Sequence, residues 1–259
     1  MAKRSAQTRR RQPRHAGPNE EFCDREFEGD NVRRLFDDTH WTPLGQENER
    51  ERKYRKNIRA HNDAQQALID AIDASPLVFA AGAAGTGKTY LAVAKGVEAL
   101  EQGRVRRIVL SRPAVEAGES LGFLPGDMEE KLSPYLRPLY DALCDRISGK
   151  RLKALIAEGV IEIAPIAYMR GRTLNNAYIV IDEAQNCTYG QLKMLLTRLG
   201  WSSSMIVTGD PAQTDLLPGM SGLEPVMGKL ESIEQVSVVR FTRADVVRHP
   251  LVAEMIDAL

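Results

Sequence analysis

From Leu77 onward, short runs of aliphatic and β-branched residues alternate with longer stretches whose apolar positions fall at helical spacing. The runs are LVFAA at 77–81, RIVLS at 107–111, VIEIA at 160–164, YIVID at 178–182, SMIVTGD at 204–210 and VSVVR at 236–240. Each predicts a strand. Thr89–Gln102 and Tyr189–Leu199 predict helices among them. Strands and helices alternating at this spacing imply right-handed crossovers and a parallel sheet covered on both faces. Upstream, Ile58, Leu68, Ile69 and Ile72 give an apolar stripe late in residues 47–72, which predicts a further helix there. No internal repeat or low-complexity tract interrupts the pattern. The expected organisation is one α/β domain over residues 61–259, preceded by an N-terminal extension over residues 1–60.

Composition narrows the class without naming a chemistry. The 259-residue chain is 43% hydrophobic and 27% charged, which excludes wholesale disorder. No apolar stretch approaches the roughly 18 residues of a membrane span, and the basic N-terminus has no apolar core behind it. Neither a membrane helix nor a secretory signal is expected. Cys23, Cys144 and Cys187 are far apart and odd in number, so a reducing cytoplasm is the expected compartment. The formal charge is zero but unevenly spread. Residues 1–60 carry fifteen basic and eleven acidic side chains, the rest twenty and twenty-four. Lys3, Arg4, Arg9, Arg10, Arg11 and Arg14 lie in the first fifteen residues with no acid among them. That stretch reads as a disordered basic arm, serving either to neutralise nucleic-acid phosphates or to keep the protein soluble.

The chemistry begins at residues 82–89, Gly-Ala-Ala-Gly-Thr-Gly-Lys-Thr, a full G-x-x-x-x-G-K-[ST] phosphate loop (Walker A) with a strand before it and a helix after. Gly82, Gly85 and Gly87 let the backbone curl so that N–H groups, including those of Ala83, Ala84 and Thr86, can face phosphate oxygens. The helix N-terminus adds positive potential. Lys88 reaches toward the β- and γ-phosphates, and Thr89 offers a hydroxyl to Mg²⁺. Tyr90 follows directly and completes the expected nucleotide contacts. A second motif (Walker B) is the apolar run ending in Asp182 and Glu183. The strand places Asp182 at the carboxyl edge of the sheet, where the phosphate loop also emerges, as a support for Mg²⁺. Glu183 is placed to orient an attacking water, which suits ATP hydrolysis better than transfer to a small molecule. A third motif, Thr208-Gly209-Asp210-Pro211-Ala212-Gln213, ends the next strand and brings an Asp and a Gln toward the same loop, to sense the γ-phosphate and shift residues 214–222.

With these motifs in place, the chain resembles the PhoH family of P-loop ATPases over roughly residues 61–259. The strings that carry the resemblance are GAAGTGKTYLAVA, SRPAVEAGESLGFLPGDMEEKLSPYLRPLYDAL, PIAYMRGRTLNNAYIVIDEAQN, TGDPAQTDL, SGLEP and FTRADVVRHPLV. The family is similar to the single-motor core of superfamily 1 helicases, which implies a RecA-like, doubly wound and mostly parallel sheet. By that resemblance Gln65 falls on a glutamine that reads the adenine edge, Gln213 on the γ-phosphate sensor and Arg243 on the arginine of the late F-x-R element. The chain departs from the family pattern at Thr214, where an isoleucine is usual, and at Leu217, where a proline follows Asp-Leu. No appended nuclease-like domain is visible, so an RNase–helicase fusion is not expected.

Other conspicuous residues are assigned more loosely. Arg112, Arg170 and Arg172 either contact phosphate or nucleic acid, or pair with acids such as Glu116 and Glu119. Residues 118–126 read as a long functional loop for substrate contacts. Trp41 and Trp201 read as packing or surface aromatics, and His61 and His249 as isolated. Taken together, the sequence predicts a cytoplasmic, Mg²⁺-dependent ATPase acting on single-stranded RNA or an RNA–protein particle. The competing reading is an ATP-dependent switch or timer whose partner is a protein. Its length is enough for one RecA-like fold. A homo-oligomer, by analogy a hexameric ring, is therefore expected, with Arg243 acting in cis and Arg170 or Arg172 reaching the neighbouring site.

Overall fold

The computed structural model describes residues 57–113 and 128–247, with the backbone alone over 128–134. The basic arm, Cys23, Trp41, the 118–126 loop with Glu116, and His249 lie outside the described residues. The elements are α1 (Asp63–Ala74), β1 (Leu77–Gly82), α2 (Lys88–Glu101), β2 (Arg107–Arg112), α3 (Met128–Cys144), α4 (Gly149–Ala157), β3 (Ile161–Pro165), β4 (Ala177–Ile181), α5 (Tyr189–Leu196), β5 (Ser204–Gly209), α6 (Leu223–Leu230) and β6 (Val236–Phe241). All six strands expected from the hydrophobic runs are present. They form one sheet in the order β3-β2-β4-β5-β1-β6, and every pairing in it is parallel.

Alternation along each strand divides the core into two layers. In β1, Val78 and Ala80 pack with Leu68, Leu91, Val97, Leu139 and Leu152 from α1 to α4. Leu77, Phe79 and Ala81 point the other way, onto Leu192, Leu195, Val226 and Met227 from α5 and α6. Helices thus cover both faces, which is the doubly wound architecture the sequence predicted. β5 lies between the phosphate-loop strand β1 and the acid-bearing strand β4, the RecA-like placement. The register sets Ala81 opposite Gly209 and Gly82 opposite Phe241, while Ser111 stands opposite Ile181. All the strand ends that carry motifs therefore open on one edge.

Of the helix expected over residues 47–72, residues 47–56 lie outside the described residues, and within the described part it starts later than expected. Residues 57–60 are irregular, and α1 begins at Asp63, where the Asn62 side chain caps it by accepting the Gln65 N–H at 2.8 Å. A helix start is fixed by its cap, which the hydrophobic period does not register. Ile58 leaves the helical stripe yet still packs against the α1–α4 layer. No helix among the described residues is long and apolar enough to cross a membrane. Neither Cys144 nor Cys187 is in a disulfide, and burial pushes the Cys187 thiol up to about 12.

Candidate functional site

The phosphate loop leaves β1 through backbone that only glycine adopts easily. Gly82, Gly85 and Gly87 have φ of 140°, 82° and 84°. At Gly87 this left-handed turn starts α2, and any Cβ there would meet the Gln65 side chain at 2.9 Å. Lys88 is only 7% exposed and bends back over the loop. Its ammonium donates to the carbonyls of Gly82 and Ala83, each at 2.7 Å, and lies 5.9 Å from the centre of the Phe241 ring. Burial lowers its pKa below the ordinary lysine value, while Asp210, Glu183 and Asp182 pull it back up.

Asp182 prolongs the β4 ladder by one residue, donating its N–H to the Ser111 carbonyl at 2.9 Å. The residue is 2% exposed, and one side-chain oxygen, Oδ1, accepts the hydroxyls of Thr89 and Thr208, both at 2.7 Å. The structure thereby joins two residues expected to serve a metal and adds Thr208. A hydroxyl and a carboxylate are hard oxygen donors, and this pair fits Mg²⁺, which takes one or two protein ligands and the rest from phosphate and water. No group of three or more His, Cys, Asp or Glu among the described residues could hold a metal by itself. The fit is to a cation carried in with a phosphate ligand.

Glu183 turns the chain sharply, with φ 52° and ψ 41°, a left-handed conformation rare outside glycine and typical of positions where geometry matters more than backbone comfort. Its carboxylate accepts a hydrogen bond from Gln185 Nε2 and faces Arg112 Nη2 at 3.2 Å. Gln185 also donates to the Gln213 carbonyl at 3.2 Å and accepts the Asp210 N–H at 3.0 Å. Asp210 in turn accepts the Ala84 N–H of the phosphate loop at 3.1 Å. The three strand-end motifs therefore form one hydrogen-bonded unit. Ala84, Gly85, Gly87, Lys88, Thr89, Tyr90, Asp182, Glu183, Asp210 and Gln213 line a cleft of about 260 Å³ at its centre. A larger cleft of about 790 Å³ lies at the opposite end of the strands, beside Pro76, Val105 and Trp201, and shares no residue with the first.

Gln65 and Arg243 do not line the cleft. The Gln65 amide is committed to backbone: Nε2 donates to the Thr86 carbonyl at 2.9 Å and Oε1 accepts the His61 N–H at the same distance. It clamps the phosphate loop against the start of α1. Arg243 is exposed, in a short turn after β6. That turn is pinned to the site by Asn62 Nδ2 donating to the Asp245 carbonyl and by the Val247 N–H donating to the Gly85 carbonyl.

Of the loosely assigned arginines, Arg112 pairs with the Walker B acids, and Arg172 closes a two-point bridge on Glu162, a partner the sequence reading did not name. Arg170 is exposed. Thr214, where the chain departs from the family pattern, donates its hydroxyl to the Gln185 carbonyl at 3.1 Å, a bond an isoleucine cannot make. Asp215 adds two bonds with Asn186. Sequence reasoning missed Gln185 and Thr208 as site residues. Both sit inside quoted motifs, but their roles depend on which strands are neighbours.

The family model for PhoH-like proteins matches residues 57–259. A PhoH-like protein of Bacillus subtilis is 55% identical over 204 residues, 78% of this chain and 64% of that one. One from Mycobacterium tuberculosis is 57% identical over the same length, 58% of its own. Protein PhoH of Escherichia coli is 48% identical over 197 residues, covering 75% of this chain and 56% of that protein. The chain thus spans little more than half to two-thirds of these curated relatives. Among solved structures, the large terminase of a thermophilic bacteriophage overlaps 77% of this chain and 50% of its own, with 11% identity and a TM-score of 0.48. The Pif1 helicase of Candida albicans overlaps 71% and 40%, with 14% identity and a TM-score of 0.36.

Proposed function

The chain belongs to the PhoH-like protein family, and from that premise we propose that it is a Mg²⁺-dependent ATP hydrolase whose helicase-like core works on or with single-stranded RNA in the cytoplasm. The observation that carries the hydrolase reading is the convergence of Lys88, Thr89, Asp182, Glu183 and Gln213 on one cleft. The cleft is bounded by the phosphate loop and suits the triphosphate end, with Tyr90 among the residues that line it.

In this reading Lys88 exchanges its loop carbonyls for phosphate oxygens. Thr89 and Asp182 would hold the cation, which would supply charge neutralisation. Glu183 accepts the proton of the attacking water, and Gln213 meets the γ-phosphate at the tip of the third motif. Arg243, in the turn whose Val247 N–H bonds the Gly85 carbonyl, adds positive charge in cis. A phosphoryl transition state gains from a further arginine, and the exposed Arg170 is the candidate to reach a neighbouring subunit in a ring, since Arg172 is already bound to Glu162. A protein-binding switch is the second reading. It is favoured by Leu217, 77% exposed on the segment tied to Gln185 and Asn186.

The test is ATPase activity of the purified chain with Mg²⁺ and with EDTA, then with single-stranded RNA added. Metal-dependent hydrolysis that RNA stimulates supports the first reading. Hydrolysis indifferent to RNA supports the switch, and no hydrolysis in any condition overturns both.

A further inference from the structure

Arg112 is the last residue of β2, and its guanidinium spans the two acids at the end of β4. Nη1 lies 3.6 Å from Asp182 Oδ2, and Nη2 lies 3.2 Å from Glu183 Oε1. The other Asp182 oxygen already takes two hydroxyls, from Thr89 and Thr208. Arg112 therefore faces the oxygen that an incoming cation would take next. Resting on the hydrolase reading, we propose that Arg112 is a built-in counter-cation of the Asp182–Glu183 pair, which a divalent ion displaces from Asp182 when it enters with the phosphates.

The geometry separates this pairing from structural bridges elsewhere in the chain. Arg172 closes on Glu162 through two bonds of 2.5 and 2.6 Å, and Arg240 closes on Glu231 through bonds of 2.6 and 2.8 Å. Each is a two-nitrogen fork on a single carboxylate, the strong form of the interaction. Arg112 instead divides its fork, one nitrogen per acid, at 3.6 and 3.2 Å, longer than the contacts of either fork. Such a pairing neutralises charge while remaining easy to exchange. The need for neutralisation is plain: Asp182 is 2% exposed, and Glu183 and Asp210 line the same cleft. Buried carboxylates without a cation are costly.

A divalent ion at Asp182 would come within a few ångströms of the guanidinium, and the repulsion would oppose binding until Arg112 moved. Arg112 then acts on the metal through Asp182, as a positioning residue. Its departure also frees the Glu183 oxygen it faces, linking metal entry to release of the base.

The experiment is a calorimetric titration of ADP into the full chain, once in EDTA and once in MnCl₂. The ratio of the two dissociation constants measures what the metal adds to nucleotide affinity, with no turnover involved. In Arg112→Gln the ratio is expected to exceed the parental value by roughly tenfold, because the guanidinium facing Asp182 is no longer there to displace. Arg112→Met, which keeps the aliphatic stem, repeats the comparison with a different neutral side chain and is expected to agree. An unchanged or smaller ratio in a neutral variant that binds ADP overturns the proposal alone. Failure of the parent to bind ADP in either condition overturns the phosphate-site reading, and the proposal with it.

Discussion

The side-chain oxygen of Gln185 accepts the backbone N–H of Asp210 at 3.0 Å, across a gap of 25 residues in the chain. Because that oxygen must be the acceptor, the amide nitrogen faces the other way, toward the Glu183 carboxylate and the Gln213 carbonyl. One buried amide thus sets the end of β4 against the end of β5. Glu183, Gln213 and Asp210, the acid that accepts the Ala84 N–H of the phosphate loop, are held in register by a residue that does not line the cleft.

Replacing Gln185 with leucine keeps the volume and removes all three bonds. The buried Asp210 N–H loses its partner, so stability is expected to fall by about 1–3 kcal/mol. The turnover number is expected to drop about 10–100-fold, because Glu183 and Gln213 lose their common register, while ADP affinity stays within about threefold. Denaturant unfolding, single-turnover hydrolysis and ADP titration separate these effects. A full rate with normal stability would sink the argument.

Glu183→Gln tests the proposed role of Glu183 as base more directly. The amide is nearly the same shape but takes no proton from water. Nucleotide binding should survive while hydrolysis slows by about 10²-fold or more. Equal loss of binding and rate would place Glu183 in metal binding or folding instead.

Lys88 gives a pH signature. Burial lowers its pKa below the ordinary 10.5. Between the folded and unfolded values the unfolded chain holds a proton that the folded chain has shed. Stability attributable to this group therefore rises with pH through that window. Nucleotide affinity runs the opposite way, since the ammonium that meets the phosphates is lost as pH rises through the folded value. ADP titrations from about pH 7.5 to about pH 10 should show affinity falling earlier than an ordinary lysine allows. Lys88→Arg, which stays charged, should flatten the dependence even if its affinity is lower overall. A flat parental profile would remove Lys88 from phosphate binding.

Much of this was legible in the sequence because strand ends in a parallel sheet share an edge. Three motifs each closing an apolar run must then meet, and Lys88, Asp182 and Gln213 do line one cleft. The partners across strands were less legible. Thr208 reaches Asp182 because β5 lies next to β4, and Arg112 reaches Glu183 because β2 lies on the other side. Strand order is set by crossovers and packing, not by any local pattern. The start of α1 was missed for a similar reason. Asn62 ends the irregular segment by capping, while its amide nitrogen holds a carbonyl 183 residues away.

The last prediction concerns how closely β6 presses on the phosphate loop. A Cβ at Gly82 would lie 2.1 Å from the Phe241 carbonyl oxygen and 2.7 Å from its carbon, both backbone atoms that cannot rotate away. Gly82 also has φ of 140°, which side-chain-bearing residues rarely adopt. Gly82→Ala must therefore part β1 from β6 or rebuild the loop, at a cost of at least about 2 kcal/mol. Because Phe241 stands over Lys88, the damage should reach nucleotide affinity as well as stability. Gly228 supplies the contrast. It lies exposed in the interior of α6 with nothing within 4 Å of a built Cβ. Gly228→Ala should stabilise the chain by about 0.5–1 kcal/mol through helix propensity and leave ADP binding alone. Denaturant midpoints and ADP titrations on the two variants check both halves. If Gly82→Ala matched Gly228→Ala in both measurements, the contact between β6 and the loop would not be holding the phosphate site in shape.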